Sequence, residues 1–383
     1  MRVSKTVKKT AAKTAPAKAA GFIGNIFSPD DTNFMKGIAL FFLLWHHLFF
    51  LSPSAGTATL WGGVRLAYFA AVVMKVCVAM FLLLSGYGLF VSGQKHDSLP
   101  VFSFWRKSYA KIYLNYWLIW AIFVTAGILF FPGGTLAEAY GAKSVVSTAI
   151  LNFLGLQNIF RLPSYNQAWW FISVIFVMYA MFPLLRFSMR RLGRASFVVP
   201  AAFFALQFTA QYTGRIPYIN IPFITNWAFP FVFGMWLAQN NVFARTKDFD
   251  ESLSTDGRVL HFFIYIAVIG ALVWQRQYGY GAIKSFYIDG ILAFFIINFL
   301  NGYFTGISWL KSAMLFAGRH SFNIFLFHNI IYETYFPKAF YELGSPVAAF
   351  AALMSVSIVV SIMLERLKGG IGFYKLQGAL AGK

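Results

Sequence analysis

The sequence predicts an all-α fold, a polytopic transmembrane helical bundle of about ten spans with both termini cytoplasmic. Three observations predict it. Hydrophobic residues make up 59% of the 383 and aromatics 20%, while charged residues fall to 11%, against roughly 25% in soluble domains; mean hydropathy is +0.64. The apolar residues gather in runs near twenty, the length that crosses a bilayer as a helix. Lysine and arginine, 32 against 12 acidic residues, gather on alternate loops. The net charge of +20 is therefore no nucleic-acid footprint, since only the first twenty residues form a basic run.

Taken in order, the first span, 34–52, is apolar but for Lys36, His46 and His47. The second, 70–92, ends in Leu84-Ser85-Gly86-Tyr87-Gly88, whose glycines let helices approach closely. The third, 109–131, stops at Pro132-Gly133-Gly134. Residues 143–160 are broken by Lys143, Asn152, Gln157 and Asn158, which predicts an interfacial or re-entrant helix and not an eleventh crossing. The fourth span, 168–187, opens with Trp169-Trp170 and continues through Tyr179 to Pro183. The fifth, sixth and seventh are 196–213, 223–240 and 258–275. The eighth, 282–301, holds Asp289, the one acidic residue well inside a span. The ninth, 312–332, carries His320 and His328, and the tenth is 346–365.

With the N-terminus inside, ten spans put three quarters of the basic residues on the cytoplasmic side, as the positive-inside rule requires. The chain divides into a basic cytoplasmic tail, 1–33, a membrane domain, 34–367, and a short cytoplasmic C-terminal tail, 368–383. No apolar core follows the basic start closely and no small-residue cleavage site is evident, so the first span is expected to be retained. There is no internal repeat. A lone Cys77 excludes an intramolecular disulfide and a paired-cysteine metal motif, and no metal site is expected.

Chemistry is expected where polar residues sit at membrane depth. Lys36 and His47 are eleven residues apart, so on a helix they share a face to within about 20° and lie roughly 16 Å apart. His46, about 100° away, is expected to pack or orient. Trp169 and Trp170 fit an interfacial belt or a stacking wall for sugar rings. His328 fits a satisfied structural histidine or a catalytic one. Asp289 fits a pairing between helices or an ion or proton site. No G-x-x-x-x-G-K-[ST], H-E-x-x-H or G-x-S-x-G occurs, so the usual signatures of ATP hydrolysis, zinc hydrolysis and elbow-type serine hydrolysis are missing. A neutral histidine in a helix bundle suits removal of a proton from a hydroxyl that then attacks an activated acyl group.

Four runs, in order, resemble the acyltransferase 3 family of integral-membrane O-acyltransferases, from Phe34 to about Leu376. They are Lys36-Gly37-Ile38-Ala39 followed by His46-His47, Phe81 through Tyr87, Trp170-Phe171-Ile172 through Tyr179 and Pro183, and His320 through His328. One stretch departs from the family. Where an arginine-x-x-arginine pair and a proline are usual, this chain has Ser108, Lys111 and Leu114, and positive charge is kept by Arg106 and Lys107; lysine lacks the bidentate fork of arginine.

The resemblance implies transfer of an acyl group, commonly acetyl, from acyl-coenzyme A to a hydroxyl of a carbohydrate or lipid-linked glycan. It implies His47 as general base, Lys36 as a donor-orienting or thioester-polarising group, and Arg106, Lys107 and Lys111 as contacts to the coenzyme diphosphate. Trp169, Trp170, Tyr179, His328 and Ser85 are the expected substrate-binding residues. No cofactor is expected to be bound permanently, acetyl-coenzyme A acting as donor substrate. The expected partners are the donor, a glycan or glycolipid acceptor and membrane lipids, without nucleic acid, and the expected location is a bacterial cytoplasmic membrane. A secondary transporter of a sugar or anion, or a non-catalytic sensor of the same fold, are the readings from other classes.

Overall fold

A computed structural model describes residues 27–50, 63–94, 100–141, 145–213, 222–278 and 285–382. Residues 1–26 of the basic tail, Lys95 and Lys143 lie outside them. The described residues contain helices and no strand. In order, the α-helices are α1 Pro29–Phe50, α2 Gly63–Met74, α3 Cys77–Gln94, α4 Val101–Phe130, α5 Leu136–Tyr140, α6 Val145–Phe153, α7 Trp170–Leu192, α8 Val198–Thr213, α9 Pro222–Gln239, α10 Val242–Ser252, α11 Thr255–Tyr278, α12 Asp289–Tyr303, α13 Ser308–Asn329, α14 Pro346–Gly370 and α15 Phe373–Leu380. A π-helical turn, Ile330–Tyr335, follows α13.

Local sequence sets the ends of several helices. Ser28 caps α1: its hydroxyl accepts the Asp31 amide, and the Asp31 carboxylate accepts the Ser28 amide at 2.9 Å, a reciprocal box that satisfies two otherwise orphaned donors. Ser345 caps α14 with Pro346 at its first position, where a missing N–H costs nothing. Gly193 closes α7 at φ +53°, a conformation that favours glycine.

Six stretches are long and apolar enough to cross a membrane: Pro29–Phe50, Leu66–Gln94, Val101–Phe130, Gln167–Ala210, Thr255–Tyr278 and Pro346–Gly370. The chain is an integral membrane protein. The fourth of these stretches holds two predicted spans. Helices α9, α12 and α13, also predicted as spans, fall outside the set; α12 has only 15 residues, and α13 carries Lys311, Arg319, His320 and Asn323. Much of α9 and α13 is buried inside the bundle, so their side chains answer to protein neighbours and not to lipid. By contrast, α11 presents Val259, Leu260, Phe263 and Ile264 outward.

Two boundaries differ from the sequence reading for identifiable reasons. The second predicted span is two helices, because the Val76 amide bonds Val73 and not Val72, and the Val72 carbonyl is taken by the Arg276 guanidinium. Helix α4 begins eight residues before the expected start, so Arg106, Lys107 and Lys111 stand on a helix and not on a loop. Residues 145–153 form a helix of nine residues, about 14 Å long and too short to cross. Within 368–383, α15 packs back on the bundle, with Lys368 and Phe373 buried.

Two close crossings fix the core. A Cβ at Gly37 would lie 2.1 Å from the Met314 carbonyl oxygen, and one at Gly318 1.9 Å from that of Asn33. The same reciprocity joins Gly86 to Phe231 and Gly234 to Leu83, each at 2.0 Å. In both cases each glycine meets the carbonyl one turn before its partner glycine, the pattern of two parallel helices whose backbones touch. Thus α1 runs parallel to α13, and α3 to α9. Helix α4 runs against α7, pairing Phe104 with Phe182 and Tyr113 with Phe176.

Candidate active site

The Gly37–Gly318 contact sets the register of α1 on α13, and ten residues further along both helices it brings His47 to His328 at the same separation of 281 residues. His47 Nδ1 lies 2.8 Å from His328 Nε2 and 2.8 Å from Asn329 Oδ1. His328 Nδ1 lies 2.8 Å from the Ile324 carbonyl oxygen and 3.1 Å from that of Phe325. Carbonyls only accept, so the His328 proton is on Nδ1 and its Nε2 is an acceptor. His47 must then donate Nδ1–H, shared between His328 Nε2 and Asn329 Oδ1. That tautomer leaves the lone pair of His47 on Nε2, the arrangement of a general base whose far nitrogen is held by hydrogen bonds. All three side chains are buried, and Asn329 Nδ2 has no hydrogen-bond partner.

His47 lines a small cavity with Trp170, Phe171, Phe325, Phe81 and Val78. Trp170 rests on Trp227, ring centroids 5.1 Å apart. Its neighbour Trp169 points elsewhere. Trp169 is fully buried and donates its indole N–H to the Leu326 carbonyl at 2.7 Å, beside the Asn166 amide at 2.9 Å. The tandem tryptophans therefore divide into a cavity wall and an anchor that fixes the main chain two residues before His328. Tyr179 lies further along α7, its carbonyl accepting the Trp105 indole N–H. Ser85 is half-buried beside the Gly86 crossing. Neither lines the His47 cavity.

At the other end of α7 lies a cavity of about 570 Å³ between the end of α3, the start of α4 and the last turns of α7. Lys107, Lys111, Arg186, Arg190 and Arg191 line it, and no acidic side chain does. Apolar Phe104, Phe182 and Pro183 form the rest of its wall. Arg186 donates to the Gly93 carbonyl at 2.7 Å, and Arg191 lies over the Phe187 ring. Lys107 and Lys111 are thus brought together. Arg106 is not with them: its guanidinium packs where a Cβ at Gly382 would fall. Lys36 is half-buried and within Coulombic reach of Lys111, so it belongs to this end of the bundle and stands roughly 16 Å from His47.

A family model described as an acyltransferase domain matches residues 31–366. The chain belongs to the acyltransferase 3 family. It is 30% identical over 180 residues to the acyltransferase MdmB of Streptomyces mycarofaciens, a match that covers 43% of this chain and 42% of that protein. The chain therefore spans under half the length of that curated relative. No solved structure matches.

Several residues of this acyltransferase 3 member gain their meaning only from the structure. His46 donates to or accepts from no group of the site; its Nδ1 lies 2.7 Å from the Ala71 carbonyl oxygen and its ring stacks on Phe50. Asp289 pairs with Arg276 at 2.6 Å, both fully buried. Asn329 carries no signal of its own in the sequence, because its bond to His47 spans 282 residues. The i, i+4 spacing of Arg186 and Arg190 is the sign in the sequence that these two share a helix face. Among the described residues no group of three or more His, Cys, Asp or Glu is placed to hold a metal.

Proposed function

We propose that the chain is a multi-pass membrane O-acyltransferase that moves an acyl group, acetyl in the simplest case, from acyl-coenzyme A to a hydroxyl of a carbohydrate or lipid-linked glycan. The observation that carries this reading is the His47–His328–Asn329 arrangement. His47 Nε2 removes the proton of the acceptor hydroxyl as its oxygen attacks the thioester carbonyl. The C–O bond forms, the C–S bond breaks, and the proton on His47 passes to the leaving thiolate. His328 and Asn329 hold the ring through Nδ1 and share the charge it carries in between.

The basic cavity supports donor binding, with Lys107 and Lys111 on the diphosphate and Lys36 beside them as a donor-orienting charge. From Pro183 at that cavity to Trp170 at the His47 cavity is thirteen residues of α7, or about 20 Å, a reach suited to an extended pantetheine arm. Trp170 is the acceptor wall. The membrane arrangement proposed is ten crossings with both termini cytoplasmic, in a bacterial cytoplasmic membrane. It is supported by helix direction: α1, α4 and α13 are odd crossings and run one way, and α3, α7 and α9 are even crossings and run the other.

The test is transfer of labelled acetyl from acetyl-coenzyme A to glycan in membranes containing the protein. Label in the glycan with the wild type and none with His47→Ala, at equal protein in the membrane, is the expected result. Equal labelling by His47→Ala removes the histidine base. Movement of a sugar or anion across vesicles without any transfer returns the protein to the transporter class.

A further inference from the structure

The cavity that His47 lines has a free volume of about 10 Å³, the room of one small group and not of a chain or a sugar ring. Leu43, Val78, Phe171 and Phe325 line it as buried side chains, and Phe81 and Trp170 as half-buried ones. Apart from His47 and the Trp170 indole, no lining residue carries a polar side-chain atom. A sugar placed there would leave its hydroxyls without hydrogen bonds. Of the two groups that must meet at His47, the one this space fits is the alkyl end of the acyl group. The wall is also firmly held. Phe171 meets Phe325 edge to face, ring centroids 5.2 Å apart. Phe325 belongs to the turn of α13 that fixes His328, because its carbonyl accepts the His328 Nδ1–H at 3.1 Å. Val78 stands in the first turn of α3, directly after the break that Arg276 holds at the Val72 carbonyl, and Leu43 stands one turn before His47 on α1. Each wall residue is thus placed by main chain that the site already fixes, and a packed wall of this kind resists an added methylene.

We propose that this cavity is the acyl-chain pocket of the protein and that Val78, Leu43 and Phe325 set its length limit, so that acetyl is transferred in preference to propionyl and longer groups. The inference rests on the acyl-transfer reading of His47. The methyl of an acetyl group fills the space while its carbonyl carbon stays within reach of the hydroxyl that His47 deprotonates. Each further methylene has to displace Val78, Leu43 or Phe325, and moving Phe325 disturbs the carbonyl that fixes His328. Trp170, half-buried, keeps its place as the wall for the acceptor.

The experiment is a competition. Membranes containing the full chain receive equimolar acetyl- and propionyl-coenzyme A with different labels on the acyl group. The ratio of the two labels in the glycan fraction reads the ratio of kcat/KM, whatever the amount of active protein. Wild type should favour acetyl by about tenfold to two-hundredfold, the range for one methylene in an apolar pocket. Val78→Ala should lower that ratio about tenfold by giving back the space of a methylene, and Val78→Ile should raise it. Leu43→Val should move the ratio in the same direction as Val78→Ala, and it decides the matter if Val78→Ala does not insert. A wild-type ratio near one overturns the pocket and leaves acyl transfer standing. A clear wild-type preference that Val78→Ala and Leu43→Val both leave unchanged also overturns it, since selection then lies elsewhere. Absence of both labels from the glycan, in membranes that contain folded wild type, overturns the acyl-transfer reading and this inference together.

Discussion

Two adjacent histidines of α1 have been given different work by their directions. His47 faces α13 and meets His328 and Asn329; His46 faces α2 and meets Ala71. His47→Ala should abolish transfer while the protein still inserts. His46→Ala should retain partial activity, its cost being one hydrogen bond and a ring stack, about 1 kcal/mol. His328→Ala should lower turnover by about 10² or more, since it removes the acceptor that fixes the His47 tautomer. Rates for the three variants at equal membrane content check the ranking, and a more severe loss in His46→Ala would move the base to that ring. Trp170→Ala should keep coenzyme A binding and lose transfer to glycan, because the side chain lines the His47 cavity. Unchanged acceptor kinetics would leave Trp170 only its packing on Trp227. The helical period made the His46/His47 distinction legible in the sequence. The partners were not, because they come from a helix some 280 residues away.

At the scale of helices, apolar runs reveal that helices exist and conceal where they are interrupted. Nothing between residues 70 and 92 marks the break after α2, since a lysine at the junction reads as one polar residue in an apolar span. The break is made from outside, by the Arg276 guanidinium on the Val72 carbonyl across 204 residues and by Asp289, which holds that guanidinium in place. Close approach of helices was better signalled. Gly86 stands at a crossing as its motif suggests, while a Cβ at Gly88 would meet nothing within 4 Å. The contact that governs the site is Gly37–Gly318, where a methyl on either residue would collide with main-chain oxygen. Gly318→Ala should therefore destabilise the bundle by about 1–3 kcal/mol and depress transfer by shifting His328 from His47, whereas Gly88→Ala should do neither. Melting temperature and transfer rate in detergent measure both. Full activity in Gly318→Ala would mean that the α1–α13 register does not govern the histidine pair.

On the scale of the molecule, composition and loop charge made a membrane bundle legible but could not say which helices are interior. The polar residues that weaken α13 as a span, His328 and Asn329 among them, are those that build the candidate site, so a hydropathy count is least decisive where function is concentrated. The directions of packed helices offer a separate line on topology. Trp170 pairs with Trp227, and Tyr87 with Phe243 at the start of α10 just past the end of α9, which agrees with α7, α9 and α3 running the same way, as the proposed ten-crossing arrangement requires of them. Phe123 stacks on Phe327, joining α4 to α13 among the odd ones. This arrangement puts the basic cavity on the side of the N-terminus and the His47 cavity toward the opposite face. Cysteine scanning tests it cleanly, because the native Cys77 is fully buried and should stay silent. In intact cells, a cysteine at exposed Glu138, beyond the end of α4, should react with an impermeant thiol reagent. A cysteine at Arg191, on the cavity edge, should react only after the membrane is permeabilised. If Arg191→Cys is labelled in intact cells, the basic cavity opens outside, away from cytosolic coenzyme A, and the proposed route of the donor along α7 fails with the topology.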